Sequence, residues 1–452
     1  MGKIKGLYID MKRKKTDTII IGAGISGLST AHFLSKKNSQ FLVLESSDRV
    51  GGIIQSKKIK EFICEMGPNT VLLNNDSIIQ IVKDLNLSEM LIFPNKENNK
   101  GRYVYNDGKI EKIPLKFLDF LKSNLISFKS KILLLKELFI KKHKEDTSVY
   151  KFIKKRFGKE IHDKLIEPFL SGVYAGDTRK MSTKYALKIL WKLEQTYGSI
   201  IKGSFLSSKT SPKSFTFPGG QEYMINKIYM ILKKRIILNS SVTLIRKIHN
   251  SYEVFTKDGK KYLCKNIVST VPSYVLEKII DDHHLKSELK NINYNPIDVF
   301  HFGFKKKNMM KKIDGFGILT KPSDNKNFLG ILFNSSIFKH LSSEECELFT
   351  VLVGGEKQKH LCSMEINELK AKVLKEVESI FNHQGETSLQ HHYRWEKGIP
   401  QYNLNHGKLN SCIQKFMTEN KNFFITGNYV NGVSVSDCIH KGKEIADEIL
   451  TN

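Results

Sequence analysis

The residues Asp17-Thr-Ile-Ile-Ile-Gly22-Ala-Gly24-Ile-Ser-Gly27 run from an apolar segment into a glycine-rich turn. The apolar segment predicts a buried strand, and Ser26 to Lys37 predicts a helix with one apolar face. Gln40 to Glu45 predicts a second strand, which completes a βαβ unit. The glycines match G-x-G-x-x-G, and an acidic residue ends the second strand. In that context the pattern predicts a dinucleotide site.

Each residue of this pattern has a chemical task. Gly22 permits the tight turn, Gly24 lets a pyrophosphate approach the backbone, and Gly27 allows the helix to pack closely on the strand. The N-terminus of the helix offers free N–H groups and a positive dipole to the phosphates. Glu45 is expected to accept hydrogen bonds from ribose hydroxyls. Its negative charge disfavours a 2′-phosphate and therefore NADP.

Three further segments favour FAD over NAD. Arg49-Val-Gly51-Gly52 follows Glu45 at once, and such a turn lets a long flavin dinucleotide run beneath the second βα connection. Gly67-Pro-Asn-Thr70 is a tight loop that could face an isoalloxazine ring. Thr426-Gly427-Asn428 precedes Val433-Ser-Val435 at the start of a C-terminal helix. That helix places a second dipole where a reduced flavin needs stabilisation.

Composition restricts the other options. The chain has 452 residues, 73 Lys plus Arg against 46 Asp plus Glu, and a formal charge of +27. Only eight of the basic residues are arginines, which argues against base-reading nucleic-acid proteins. The excess of lysine fits either compositional drift or an anionic partner. The six cysteines are scattered, which fits neither a zinc site nor a disulfide framework, and a reducing compartment is expected.

Residues 92–200 have a different sequence pattern from the βαβ unit. Apolar residues recur at helical spacing among lysines, as at Leu115, Leu118, Leu121 and Leu125, and residues 129–159 carry a local charge of +8. We predict an inserted, mainly helical domain. No apolar run is long enough for a transmembrane helix, and Met1 to Lys15 lacks the apolar core of a secretory signal. A cytoplasmic location is therefore expected, with peripheral contact to the inner face of a membrane as a further hypothesis.

Several motifs together resemble the oxygen-dependent protoporphyrinogen and coproporphyrinogen oxidases, which are flavin amine oxidase-like enzymes. The segments that carry the resemblance are Gly67-Pro-Asn-Thr, Pro168-Phe-Leu-Ser-Gly-Val-Tyr-Ala-Gly-Asp177, Gly315-Phe-Gly-Ile-Leu319, Val353-Gly-Gly355, Ile399-Pro-Gln-Tyr402 and Gly427-Asn-Tyr-Val-Asn-Gly-Val. They occur in matching order from about residue 16 to 450. The resemblance covers nearly the whole chain.

The resemblance implies an α/β fold with three parts. A Rossmann-like FAD-binding domain is expected from 14–76, 215–280 and 416–452, and an α+β substrate-binding domain from 77–91, 201–214 and 281–415. The helical domain, 92–200, is expected to rest on a membrane. The implied FAD contacts are Gly22, Ala23, Gly24, Ile25, Ser26, Gly27, Glu45, Ser46, Arg49, Gly52, Ile53, Gly67, Pro68, Asn69, Thr70, Val242, Val433, Ser434 and Val435.

The resemblance also implies the reaction and the substrate contacts. A porphyrinogen loses six electrons in three steps through FAD, and O2 reoxidises the flavin to give H2O2. Arg102 matches an arginine that pairs with a propionate, which suits the planar guanidinium. Leu319 and Leu332 match residues that sandwich a pyrrole, and Leu352 replaces a phenylalanine that relatives often carry. Tyr174 lies in a segment expected to roof the substrate.

No side chain stands out as a general base, and Asn69 is the candidate polar group beside the flavin. Protoporphyrinogen IX is the expected substrate, with coproporphyrinogen III as the alternative. An amine oxidase or carotenoid desaturase is a more distant alternative, and a non-enzymatic flavoprotein is the most distant.

His283-His284 and His391-His392 have no metal or triad spacing, so we expect packing or surface roles and no metal. A homodimer is common among the relatives.

Overall fold

A computed structural model describes residues 14–95, 101–106, 108–114, 117–207, 213–430 and 432–451. Leu115 of the predicted helical pattern, most of the N-terminal segment and Asn431 of the C-terminal motif lie outside these residues. The strands are β1 Lys14–Ile21, β2 Phe41–Leu44, β3 Ser56–Ile59, β4 Phe62–Glu65, β5 Val71–Leu73, β6 Arg102–Asn106, β7 Lys109–Lys112, β8 Lys213–Phe215, β9 Ile236–Ile237, β10 Val242–Ile248, β11 Ser251–Thr256, β12 Lys261–Ser269, β13 Tyr294–Lys305, β14 Gly317–Leu319, β15 Gly330–Phe333, β16 Cys346–Gly354, β17 Leu389–Pro400 and β18 Phe423–Ile425.

The helices separate or cover these strands. They are α1 Ile25–Ser35, α2 Asp76–Asp84, α3 Phe117–Lys122, α4 Phe128–Lys136, α5 Val149–Phe157, α6 Lys159–Ile161, α7 Glu167–Tyr174, α8 Thr183–Ala186, α9 Lys188–Tyr197, α10 Ile200–Leu206, α11 Glu222–Leu232, α12 Ser273–Ile279, α13 His283–Lys290, α14 Asn334–Ile337, α15 Ile366–Phe381, α16 His406–Glu419 and α17 Val435–Thr451. A π-helical turn, His162–Ile166, joins α6 to α7.

The first sheet collects strands from the start, middle and end of the chain. Within the described residues its order is β10-β11-β12-β1-β2-β9, and β18 also pairs with β12. The strands around β1 are parallel, and Ile19, Ile20 and Ile21 are buried because hydrophobic clusters cover both faces. α1 packs against α17 and against β1 and β2 of the sheet. The carboxyl ends of β1 and β2 therefore meet beside the N-termini of two helices.

The second sheet has the order β17-β13-β16-β15-β14-β6-β7 within the described residues. Its pairs are antiparallel except β14 with β6. Phe300 and Phe302 pack one face against α15 through Val373 and Val377. The alternating residues of β13 face the opposite way, because side chains in a strand alternate between the two faces. That opposite face lines a cavity described below.

The structure corrects part of the expected helical region. Strands β6 (102–106) and β7 (109–112) form a hairpin, and Arg102 pairs in parallel register with Gly317 of β14. Its partner strand lies more than 200 residues away in the sequence, so local periodicity did not reveal the pairing. The long strand β17 was also not predicted. Helices α3 to α9 occupy much of the remainder of 92–200, and α10 begins at Ile200.

A buried charge cluster holds the helical region together. Arg156 is fully buried and donates from Nε to Glu194 Oε1 at 2.8 Å and from a terminal nitrogen to Glu137 Oε1 at 2.6 Å. Glu137 also accepts from the N–H of Ile200. The cluster thus ties α5, α9 and α10 to the turn after α4. Of the helices described here, none is both long and apolar enough to cross a bilayer.

Candidate functional site

The glycine-rich turn borders a cavity of about 230 Å³ at the carboxyl ends of the parallel strands. Gly24 is the N-cap of α1, and no side chain caps this helix end. A Cβ added to Gly24 would meet no atom within 4 Å, so the turn leaves open space beside the helix N-terminus. A Cβ on Gly27 would lie 2.0 Å from Gly22 O, which explains the glycine there. This cradle fits a dinucleotide pyrophosphate.

Glu45 lies at the same cavity and is held by backbone and hydroxyl donors. Its Oε2 accepts from Ala23 N at 2.6 Å, and its Oε1 accepts from Ser47 N at 2.9 Å. Ser46 beside it also lines the cavity. The other cavity residues come from several elements: Ile21, Gly22, Gly24, Ile25, Ser26, Leu44, Gly51, Gly52, Ile53, Ile54, Ser240, Ser241, Val242, Thr270, Val271, Pro272, Val275, Ile279, Gly427, Asn428, Val433, Val435 and Cys438.

Four residues predicted to contact the cofactor are not among the residues lining either cavity: Ala23, Gly27, Arg49 and Ser434. Arg49 donates to the carbonyls of Val50 and Gly52, so it braces the turn. Ser434 Oγ accepts from Asp437 N at the start of α17. Ala23 contributes its N–H to Glu45. The structure thus gives these residues supporting positions around the cradle.

A second cavity of about 370 Å³ adjoins the first. Ile53, Asn428 and Val433 line both, so a long ligand can pass from one to the other. The remaining lining residues are Met66, Gly67, Pro68, Asn69, Thr70, Gly172, Val173, Ala175, Ile297, Val299, Phe316, Leu329, Leu332, Asn334, Ile337, Phe338, Leu352, Trp395, Gly398, Ile399 and Pro400. Among the described lining residues none carries a formal charge. The walls suit a large, mainly apolar molecule.

Asn69 occupies this wall together with a residue that the sequence did not point to. Asn334 Nδ2 donates to Asn69 Oδ1 at 2.7 Å, and Asn69 Nδ2 donates to Gly67 O at 3.3 Å. Asn334 is 3% exposed, and its Oδ1 has no hydrogen-bond partner among the described atoms. The two amides therefore fix one another at the cavity wall, although 265 positions separate them.

A buried carboxyl lies just behind this wall. Glu65 accepts from Gln221 N and from Ser56 Oγ, both at 2.7 Å, and burial raises its pKa to about 8. Gln221 Nε2 in turn donates to Asn69 O at 3.4 Å. His301 lies 3.0 Å from Glu65 O, and burial lowers its pKa to about 3, so it is neutral. These groups support the loop that carries Asn69.

The guanidinium of Arg102 lies next to an aromatic ring that lines the cavity. Its guanidinium carbon lies 5.0 Å from the centroid of Phe316, and Phe316 lines the cavity. Partial burial lowers the pKa of Arg102, which nevertheless stays protonated because its ordinary value is so high. The structure thus places a cation at one edge of an uncharged wall.

Of the other residues predicted to bind the substrate, two line the second cavity and two do not. Leu332 and Leu352 line the second cavity, whereas Leu319 does not and lies against Gly172 instead. Tyr174 is also not among the lining residues: its hydroxyl donates to Ala186 O at 3.2 Å, and burial raises its pKa to about 12. The prediction of a roof at 168–177 rested on a motif, which does not specify the directions of individual side chains on α7.

The histidine pairs have different surroundings. His283 and His284 are exposed at the start of α13. His392 Nε2 lies 2.6 Å from Asp298 Oδ1, and His391 faces His301 on the neighbouring strand. Elsewhere in the described residues, His162, Asp163 and Glu167 each offer one potential metal-ligand atom, and these three atoms lie within 4.8 Å of one another.

Both acidic residues of that group form ion pairs with lysines. Lys159 pairs with Asp163, and Lys357 pairs with Glu167. The group is therefore an ion-paired cluster on the helix that leads into α7.

Asn334, Trp395 and the Ser240-Ser241 pair line the cavities but were not predicted. The serines immediately precede Val242, which was predicted, and two small polar residues before a strand are a usable signal. Asn428 stood in a quoted motif but was not chosen. Asn334 lies on α14 and Trp395 lies on β17, and no local sequence pattern distinguishes either residue.

Comparisons with known proteins agree with this geometry. Residues 25–450 match the family model "Flavin containing amine oxidoreductase". Protoporphyrinogen oxidase 1 of Spinacia oleracea is 30% identical, with 96% of this chain and 84% of the relative covered. Protoporphyrinogen oxidase 2 of Arabidopsis thaliana is 27% identical over 96% and 93%. Coproporphyrinogen III oxidase of Bacillus subtilis is 25% identical over 98% and 99%.

The fold comparison points the same way. A crystal structure from Exiguobacterium superposes with a TM-score of 0.84 at 21% identity, covering 98% of this chain and all of the other. A putrescine oxidase structure superposes with a TM-score of 0.73 at 15% identity, covering 97% of this chain and all of that one. The chain therefore belongs to the flavin-containing amine oxidoreductases, among the protoporphyrinogen and coproporphyrinogen oxidases, and it is an FAD-dependent oxidoreductase.

Proposed function

We propose that this protein oxidises protoporphyrinogen IX to protoporphyrin IX and passes the electrons to O2. The observation that carries the proposal is the uncharged cavity of about 370 Å³ that meets the nucleotide cavity at Ile53, Asn428 and Val433. An apolar macrocycle in the larger cavity would lie against the end of a dinucleotide in the smaller one. The relatives named for porphyrinogen oxidation support the same reaction.

The reaction balances over three equal steps. Each step removes two electrons and two protons from the macrocycle and converts one O2 to one H2O2, so three O2 yield three H2O2. Bound FAD supplies the two-electron acceptor. The chain itself holds the macrocycle in place, and its apolar walls exclude water from the ring. We assign Asn69 the role of orienting a polar group of the substrate, because its amide lies on the cavity wall and is fixed by Asn334.

The charge pattern favours a dicarboxylate over a tetracarboxylate. Protoporphyrinogen IX carries two propionates, whereas coproporphyrinogen III carries four. The described lining residues contain no cation, and the guanidinium carbon of Arg102 lies beside this wall, 5.0 Å from the centroid of Phe316. Buried carboxylates without partners are costly, so the four propionates of the larger anion fit this wall less well. The Bacillus subtilis relative keeps coproporphyrinogen III as the second candidate.

The test compares both porphyrinogens with purified holoenzyme, following porphyrin fluorescence and H2O2. We expect a higher kcat/KM for protoporphyrinogen IX. Arg102→Ala should raise KM about 10- to 100-fold, which corresponds to the loss of a charged hydrogen bond. Arg246→Ala is the matched control, since Arg246 stacks on Phe255 at 5.5 Å on β10 and lies outside both cavities. Equal KM values for wild type and Arg102→Ala would contradict the assignment of Arg102.

We also propose that the helical region contacts an anionic membrane. Phe128, Ile132 and Leu135 recur along one face of α4, and Phe139 follows in the next turn. Phe128 is 76% exposed and Phe139 is 87% exposed. Lysines at 129, 131 and 136 flank this apolar face, a combination that suits the surface of an anionic bilayer.

Sedimentation with vesicles tests this contact. Wild type should bind phosphatidylserine vesicles at low salt, and Phe128→Ser with Phe139→Ser should weaken binding about tenfold or more, given the apolar area removed. Met230→Ser is the control, because Met230 is 65% exposed on α11, outside the helical region. Wild type that stays in the supernatant would show a solvated lysine-rich surface instead.

A further inference from the structure

Three neighbouring strands of the second sheet build the floor of the larger cavity. Ile297 and Val299 of β13 both line it. Val299 pairs with Leu352 of β16, and Ile297 pairs with Trp395 of β17. Leu352 and Trp395 also line the cavity, so the floor runs from an aliphatic end on β16 to an indole on β17.

The indole is held from two sides. Trp395 Nε1 donates to Met66 O at 2.7 Å, which satisfies its only polar group. Its ring also packs on Tyr393, with centroids 4.8 Å apart and planes tilted by 55°. Met66 belongs to the loop that carries Asn69. The tether therefore fixes the indole relative to the polar end of the cavity, and Trp395 packs against the hydrophobic cluster of Ala175, Ile297, Val299 and Leu329.

Aromatic side chains are scarce in this cavity. Among the described lining residues they are Phe316, Phe338 and Trp395. The ring of Phe316 already has the guanidinium of Arg102 near one face. Trp395 is the largest of the three, and because its N–H is bonded to Met66 O, the part of the side chain that lines the cavity is an apolar π surface.

We propose that Trp395 is the aromatic wall against which the tetrapyrrole lies, and that it binds the flat, conjugated product more tightly than the puckered porphyrinogen. This inference rests on the proposed function. Aromatic rings gain energy from offset stacking beyond the area they bury, and a planar porphyrin can stack over a larger area than a macrocycle with saturated bridges. Trp395 then sets how long the product stays bound and has less effect on how fast the substrate is oxidised.

The test measures binding of protoporphyrin IX to oxidised holoenzyme through the shift of its main absorption band. Trp395→Leu should weaken binding about tenfold, as expected for losing one stacked ring. Trp395→Phe keeps an aromatic face and loses the bond to Met66 O, so it should lie within about threefold of wild type. Trp191→Phe is the control, since Trp191 packs in the helical region on α9. FAD content and melting temperature are recorded for every variant.

A second measurement stays informative if Trp395→Leu does not fold. The chain has two tryptophans, so Trp191→Phe leaves Trp395 as the only one. Bound porphyrin should shield that tryptophan from quenching by acrylamide, and should leave Trp191 in the Trp395→Phe variant unshielded.

The outcomes separate the two proposals. Unchanged porphyrin affinity in Trp395→Leu, or equal quenching of Trp395 with and without porphyrin, would overturn the role of Trp395. Wild type that neither binds protoporphyrin nor oxidises a porphyrinogen would overturn the proposed function and this inference together. In steady state, Trp395→Leu should change product inhibition several-fold more than it changes the rate of flavin reduction in a single turnover.

Discussion

Gly24 and Gly27 lie three positions apart in the same turn, yet the structure predicts opposite consequences for an added methyl group. At Gly24 the φ angle is −71°, which alanine adopts readily, and the new Cβ would meet nothing within 4 Å. At Gly27 the new Cβ would lie 2.0 Å from the carbonyl oxygen of Gly22 and 2.9 Å from Thr270 Oγ1. Gly24→Ala should therefore spare the apoprotein, and Gly27→Ala should damage it.

The magnitudes follow from these contacts. Alanine at a compatible backbone angle reduces the entropy of the unfolded chain, and this offsets its poorer capping, so Gly24→Ala should change apoprotein stability by about 0.5 kcal/mol or less. Gly27→Ala forces the helix away from the strand and should cost about 3 kcal/mol. FAD binding should respond differently: Gly24→Ala fills the space for the pyrophosphate and should weaken FAD about 100-fold, through one or two charged hydrogen bonds.

Calorimetric titration of the apoprotein with FAD gives the affinity, and urea unfolding of the same samples gives the stability. We expect near-native unfolding and weak FAD binding for Gly24→Ala, and low stability before any FAD is added for Gly27→Ala. Two results would refute this expectation: Gly24→Ala that binds FAD as tightly as wild type, or Gly24→Ala apoprotein as unstable as Gly27→Ala.

Three other predictions concern buried polar groups. Between its ordinary pKa of 4.5 and its folded value of about 8, Glu65 keeps a proton that the unfolded chain has lost, so its contribution to stability is complete below pH 4.5 and disappears as pH rises through 8. In urea unfolding, the free energy of unfolding of Glu65→Gln should therefore rise relative to that of wild type by about 1 kcal/mol per pH unit between pH 6 and 8. A difference in unfolding free energy that stays constant with pH would contradict this. Asn334→Leu should slow single-turnover flavin reduction about tenfold with unchanged FAD content. Combined with Asn69→Ala it should cost nothing further, whereas additive losses would show that Asn334 acts independently. Arg156→Met should destabilise the protein by about 3–5 kcal/mol in urea because it leaves buried carboxylates unpaired, and a loss below about 1 kcal/mol would show that the carboxylates are accommodated without Arg156.

Local patterns were sufficient for much of the nucleotide-binding sheet. The strand–turn–helix from β1 to α1, the acidic end of β2 and the start of the C-terminal helix were predicted close to their observed positions. Each depends on residues within about 20 positions of one another, where hydrophobic periodicity and glycine placement act directly. The helix expected over 26–37 begins at Ile25 and ends at Ser35, as fraying ends commonly differ by a residue or two.

The second sheet was harder because its pairings are long-range. The hairpin β6–β7 joins β14 from the far side of the helical region, and β17 adds its edge strand beside β13. Strands of this kind show little beyond a short alternation, and their partners cannot be chosen without the tertiary fold. The expectation of a helical region from residue 92 onward was wrong for the hairpin for this reason.

The same physical reason explains which residues of the two cavities were predictable from sequence and which were not. The residues of the cofactor cradle are predictable from sequence, because one short turn supplies the tight bend, the helix dipole and the acidic partner. The larger cavity is different: Trp395 is hydrogen-bonded to Met66 across 329 positions, and Asn334 to Asn69 across 265. Such contacts form only when two sheets and their loops are packed together. Residue types and spacing therefore identified the cofactor and the family, whereas packing selected which side chains line the larger cavity and which, like Tyr174, do not.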